Sequence, residues 1–164
     1  MNETYYEIMV EKKKSQVMKT AQIATAIMTV FFVFSMMMGM FFGLIFAIAS
    51  GAASYFLKLF NSVEYEYLYI DKELQIDRIL AKNKRKRMET IDLNEFEILA
   101  PIRSHELDRY RNQNAKKLDY SSGDESQNAS KYMLVVKGKQ IIFEPTEEMV
   151  KTIRMFAPRK VFTY

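Results

Sequence analysis

His105 is the single histidine of the chain and stands between Ser104 and Glu106. A nucleophilic triad needs a hydroxyl, an imidazole and a carboxylate aimed at one another by a fold. Adjacent positions on one backbone are not aimed that way, so His105 reads as a surface residue near a helix start. The carboxylates Asp71, Glu73, Asp77, Glu95 and Glu97 fall in turns or on strand faces, where solvated charge is the ordinary state. Cysteine is absent, which removes disulfides, thiolate zinc sites, iron–sulfur clusters and a thiol nucleophile. One histidine cannot build a histidine-rich metal site. Gly123 and Gly138 are isolated turn glycines, not a phosphate-cradling loop. The expectation is a protein that is not an enzyme, with no catalytic residue, metal or cofactor.

Two groupings carry chemistry of another kind. Lys82, Lys84, Arg85, Lys86 and Arg87 form a basic run, and each basic residue near anionic lipid headgroups gains ~1 kcal/mol. The same run reads equally as a solvated loop that follows the bias of positive charge toward the cytoplasm. Gly39, Gly43, Ala47 and Gly51 recur every four residues, the spacing that lets helices approach closely in lipid. That row serves either packing within one chain, against Ala21, Thr25 and Thr29, or contact between copies in a homo-oligomer. The net charge is only +4, and beyond Ser62 basic and acidic residues nearly balance. A nucleic-acid partner would call for a strongly basic surface, so none is expected.

The element that positions the glycine row runs from Thr20 to Leu57 without a charge, between Lys19 and Lys58. One helix of that length would rise roughly 57 Å, against a hydrocarbon core of about 30 Å. The spacing therefore predicts a transmembrane helical hairpin over residues 20–60, with arms at about 20–37 and 40–57. A secretory signal is a poorer reading, because the apolar stretch before the small-x-small site Ala47-Ile48-Ala49 far exceeds a signal's central segment. Lys12, Lys13, Lys14 and Lys19 precede the hairpin and Lys58 follows it, while the reversal at Met38-Gly39-Met40 is uncharged. Both termini are then expected in the cytoplasm, with the lipid bilayer as the first partner. Residues 1–19 read as a cytoplasmic helix or tail, because Tyr5, Ile8 and Met9 stand at helical spacing.

After Ser62 the period changes to two. Tyr65, Tyr67 and Tyr69 alternate with Glu64, Glu66 and Leu68, and strands follow over Leu74–Leu80, Met88–Leu93 and Phe96–Ile102. Ser104 caps a short helix or an irregular excursion, and residues 117–121 add a brief edge strand. The composition of residues 121–128 marks a flexible loop. Lys131–Val136 and Gln140–Glu144 form a hairpin across Lys137-Gly138-Lys139. An amphipathic helix starts at Pro145-Thr146, repeats Met149, Val150, Ile153 and Phe156 along one apolar face, and stops at Pro158.

That order over residues 62–164 resembles the pleckstrin-homology-like (PH-like) fold, and YEYLYIDKELQIDRILAKNKRKRMETIDLNEFEIL is similar to the opening of its bacterial members. The segments YEYLYIDKELQIDRI, NKRKRM, LDYSSG and FEP also resemble a family of small two-pass proteins from Gram-positive bacteria, a domain of unknown function. The resemblance implies an α+β membrane protein. A helical hairpin precedes a small antiparallel β-barrel or sandwich of six to seven strands, closed by a C-terminal helix. In lipid-binding relatives the phosphate-gripping residues lie around the first hairpin loop, which here is Asp71-Lys72-Glu73 and acidic on balance. The expected role is a membrane-anchored interaction or scaffolding module for an unknown protein partner. That partner would be met through a sheet edge or the Tyr65/Tyr67/Tyr69 face. The alternatives are a homo-oligomeric assembly or pore built on the glycine row, and anionic-lipid sensing through the basic run.

Overall fold

A computed structural model describes residues 5–127 and 130–163, and the chain divides into a helical unit and a β-rich unit. The expected readings for residues 1–4, for Asn128 at the end of the polar loop and for Tyr164 lie outside the described residues.

The helical unit comprises residues 14–63 and the short turn 80–83. It holds α1 (Gln16–Met37) and α2 (Phe42–Phe60), each long and apolar enough to cross a membrane, with mean hydropathy 1.7 and 1.6. At about 1.5 Å per residue they rise about 33 and 28 Å, close to a hydrocarbon core of about 30 Å. The turn between them uses Gly39 at φ +89°, a region that strains other residues. At the open end, Ser15 N–H donates to Asn61 Oδ1 at 3.0 Å and ties the two arms together.

The β-rich unit comprises the described residues within 1–13, 64–79 and 84–164. Its strands are β1 (Tyr5–Glu11), β2 (Val63–Ile70), β3 (Glu73–Leu80), β4 (Lys84–Asp92), β5 (Phe96–Pro101), β6 (Lys116–Asp119), β7 (Tyr132–Val136) and β8 (Lys139–Phe143). They form two four-stranded sheets, ordered β1-β2-β3-β4 and β5-β7-β8-β6. Where a barrel or sandwich of six or seven strands was expected, there are two sheets and eight strands, the added one being β1 from the N-terminal segment. The arrangement is not wholly antiparallel, because β6 runs parallel to β8. Tight hairpins fall where two successive residues adopt positive φ, at Asp71-Lys72 and Lys137-Gly138, whose twist matches that of the flanking strands.

The expected N-terminal helix is instead β1. It pairs antiparallel with β2 from Tyr5 opposite Ile70 to Glu11 opposite Glu64. Tyr6, Ile8 and Val10 are half-buried and alternate with exposed Tyr5, Glu7, Met9 and Glu11, so the period is two and the helical spacing was coincidental. The helical hairpin is thus inserted between two paired strands of one sheet.

The core lies between the sheets. Tyr67 is fully buried, stands edge-on to Phe143 with centroids 5.6 Å apart, and donates its hydroxyl to the Tyr120 carbonyl at 2.6 Å. Tyr65 and Tyr69 are buried beside it, so the tyrosine face is core and not a partner surface. The C-terminal helix α4 (Glu147–Phe156) is capped by Thr146, whose hydroxyl accepts from Met149 N–H, and buries Met149, Val150 and Ile153. The Tyr6 hydroxyl lies 3.0 Å from Thr152 Oγ1, which sets α4 against the first sheet.

Candidate interaction surfaces

In the helical unit, Gly43 and Ala47 are the buried residues of α2. A Cβ on Gly43 would sit 2.8 Å from the Phe32 carbonyl oxygen, and one on Gly51 would sit 3.6 Å from the Thr29 methyl. Thr29 donates to Ser50 at 2.9 Å, and Phe32 stacks on Phe46 with centroids 5.2 Å apart. Gly43, Ala47 and Gly51 therefore face α1 of the same chain, while Gly39 belongs to the turn. Replacing Gly43 with Leu forces a branched side chain against backbone, which must move the helices apart. The expected cost is about 1–3 kcal/mol, read as a lower Tm in detergent and loss of a Thr29→Cys/Ser50→Cys crosslink.

The basic run is not a loop. Lys82 sits in a turn at φ +61°, and Lys84, Arg85, Lys86 and Arg87 open strand β4. Alternation then separates them chemically. Arg85 pairs with Glu66 and lies 3.6 Å from Asp77. Arg87 grips Asp77 with two hydrogen bonds, at 2.7 and 3.3 Å. Glu66 and Asp77 are buried beneath these guanidinium groups, which corrects the expectation that Asp77 is solvated. Burial pushes the Glu66 carboxyl above the usual range despite Arg85, and neighbouring Glu7 adds to the rise. The Tyr5 hydroxyl, donating to Glu7, holds Glu7 below its ordinary value. Lys84 and Lys86 are exposed, with no ion pair among the described residues. Arg87→Ala is expected to cost about 1–3 kcal/mol by stranding buried Asp77. Lys84→Ala and Lys86→Ala should each change stability by less than about 0.5 kcal/mol in urea denaturation.

The sheet edges differ in accessibility. The β5 edge is taken by the chain's own C-terminal segment: Leu99 N–H donates to the Lys160 carbonyl, and Phe162 N–H to that of Leu99, both at 2.8 Å. The β4 edge carries its exposed lysines, a common guard against strand addition. Among the described residues, β1 and the short β6 remain as open edges. His105 is exposed and lies 3.3 Å from Asp108, while Ser104 caps the 3-10 turn His105–Leu107 through Glu106 N–H. They are not brought into a triad.

Three buried carboxylates have structural partners that the sequence did not reveal. Besides Glu66 and Asp77, Glu144 accepts from the Ser122 N–H and hydroxyl at 3.1 and 2.7 Å. Asp77 sits on β3, next to the arginine-bearing β4, whereas Glu66 lies one strand further away, on β2. No group of acidic or histidine side chains among the described residues could hold a metal ion. Residues 2–163 match the family model described as bacterial PH-like domain (DUF6106). No curated protein and no solved structure matches the chain.

Proposed function

Because the chain belongs to the bacterial PH-like domain family DUF6106 across nearly its whole length, we propose that it is a non-enzymatic interaction module anchored in the bacterial plasma membrane by its helical hairpin. The supporting observation is the pairing of β1 with β2, which flank the hairpin in sequence. A chain that leaves a sheet and re-enters it at adjacent positions keeps the whole β-rich unit on one side of any bilayer its hairpin crosses. The flanking lysines make that side cytoplasmic. Tethering raises the local concentration of the module for a partner at the same membrane. The open edges of β1 and β6 are the places where an extended segment of a protein partner would add as a strand. With the glycine row turned toward α1 and two of the five basic residues held in ion pairs, neither self-assembly nor lipid sensing through the basic run is the leading role.

The absence of cysteine makes the topology directly testable. Met38→Cys, between the helices, should react in intact cells with a membrane-impermeant maleimide. Lys137→Cys, in the β7–β8 turn, should react only after permeabilisation. Labelling of Lys137→Cys from outside, or recovery of the intact protein in the soluble fraction without detergent, sinks the proposal.

A further inference from the structure

The outer face of the second sheet is only partly covered. Strand register places Ile98 and Ala100 of β5, Met133 and Val135 of β7, Gln140 and Ile142 of β8, and Lys117 of β6 on one face. The excursion after β5, with the short helix α3 (Asp108–Arg111), lays Leu107 and Tyr110 over Ile98, Ala100, Met133 and Val135 as a small second core. Beside that cover lies a groove of about 530 Å³. Ile102, Met133 and Ile142 supply its apolar surface.

Its charged lining is of one sign. Arg103, Arg111 and Lys117 line the groove, and no carboxylate does. Arg111 is held in place by donating to the Ile102 carbonyl at 2.7 Å, with Asp108 3.7 Å from its other nitrogen. Arg103 and Lys117 are exposed and engage no ion pair or hydrogen bond among the described residues. Below, Gln140 is fully buried, donates to the Tyr110 carbonyl and leaves its own Oε1 without a partner. Cations around an apolar floor in a concave site of this size match a small amphiphilic anion, since guanidinium groups bind phosphate and carboxylate with paired hydrogen bonds.

We propose that this groove binds an anionic amphiphile, with a phosphate or carboxylate head on Arg103, Arg111 and Lys117 and a short apolar body over Ile102, Met133 and Ile142. The site lies wholly within the β-rich unit and does not rest on the membrane topology. Full-length protein in phosphatidylcholine nanodiscs would be titrated at low salt with phenyl phosphate, followed by ligand-observed NMR. Phenyl phosphate should bind saturably, at least about tenfold more tightly than phenol or inorganic phosphate. Arg103→Ala combined with Lys117→Ala should weaken it about tenfold or more. Ile142→Ser should erase the preference over inorganic phosphate, and Lys84→Ala with Lys86→Ala should change nothing. Displacement by phosphatidic acid in the disc, dependent on Arg103 and Lys117, identifies a lipid headgroup as the source. Displacement by soluble phosphomonoesters alone identifies a free metabolite. Equal affinity for phenyl and inorganic phosphate, full retention by the double variant, or binding of a glutamate-rich peptide but not of phenyl phosphate overturns the assignment.

Discussion

Replacing residues 12–63 with an Asn-Gly turn is expected to yield a soluble, cooperatively folding domain, whereas a fragment that begins at Glu64 is expected to aggregate. The first design joins Glu11 to Glu64 through the two turn residues, and these two glutamates already face each other across β1 and β2. Asn-Gly suits the positive φ angles of a tight hairpin. The second design discards a seven-residue strand. That removes the partner of one β2 edge, at about 1 kcal/mol per backbone hydrogen bond, and uncovers the ends of the tyrosine core. Against a total stability of about 5–15 kcal/mol the loss is disabling. The bared edge of β2 would also template pairing between molecules. Gel filtration and urea denaturation of the two products decide the matter. A stable monomer from the Glu64 fragment would remove β1 from any essential role.

Tyr67→Ala is the single substitution expected to cost most, about 3–5 kcal/mol, because it empties a fully buried aromatic site. Tyr67→Phe keeps the ring against Phe143 but strands the Tyr120 carbonyl, for about 1–2 kcal/mol. The pair separates packing from hydrogen bonding. Alkaline pH gives a second readout. Burial pushes the Tyr67 phenol far above its ordinary value. Its contribution is fully present below the unfolded phenol's pKa of about 10 and is lost as pH rises past it, since only the unfolded chain can ionise. Stability should therefore fall from about pH 10 upward, and less steeply in Tyr67→Phe. Some slope should persist, because burial also raises Tyr69 and Tyr120. Denaturation at about pH 8 and about pH 11 measures the difference.

The two apolar helices and the closing hairpin with its capped C-terminal helix were legible because their signals are local. A long uncharged run, a two-residue period and a Thr-initiated amphipathic stretch each fit inside one window. Strand β1 was not legible. Its short YYEIMVE segment satisfies both periods over a few positions, and the partner that settles the matter lies beyond the whole hairpin. The basic run misled for a related reason. Consecutive lysines and arginines disfavour a strand by composition, and what stabilises β4 is a pair of carboxylates on β2 and β3 that only the fold brings beneath Arg85 and Arg87. The parallel β6–β8 pair and the groove next to it depend on a crossover and on an excursion with few apolar residues. No local pattern announces either.

The interrupted pairing of β1 also orders the events of synthesis. The ribosome releases the first strand long before its neighbour exists, so that strand must wait, unpartnered, while both helices are made. The sheet closes only when the two arms of the insert have come back together, and any delay there postpones the domain's assembly. A nascent chain whose helices fail to meet would remain an open ring, unable to present its finished surfaces to anything.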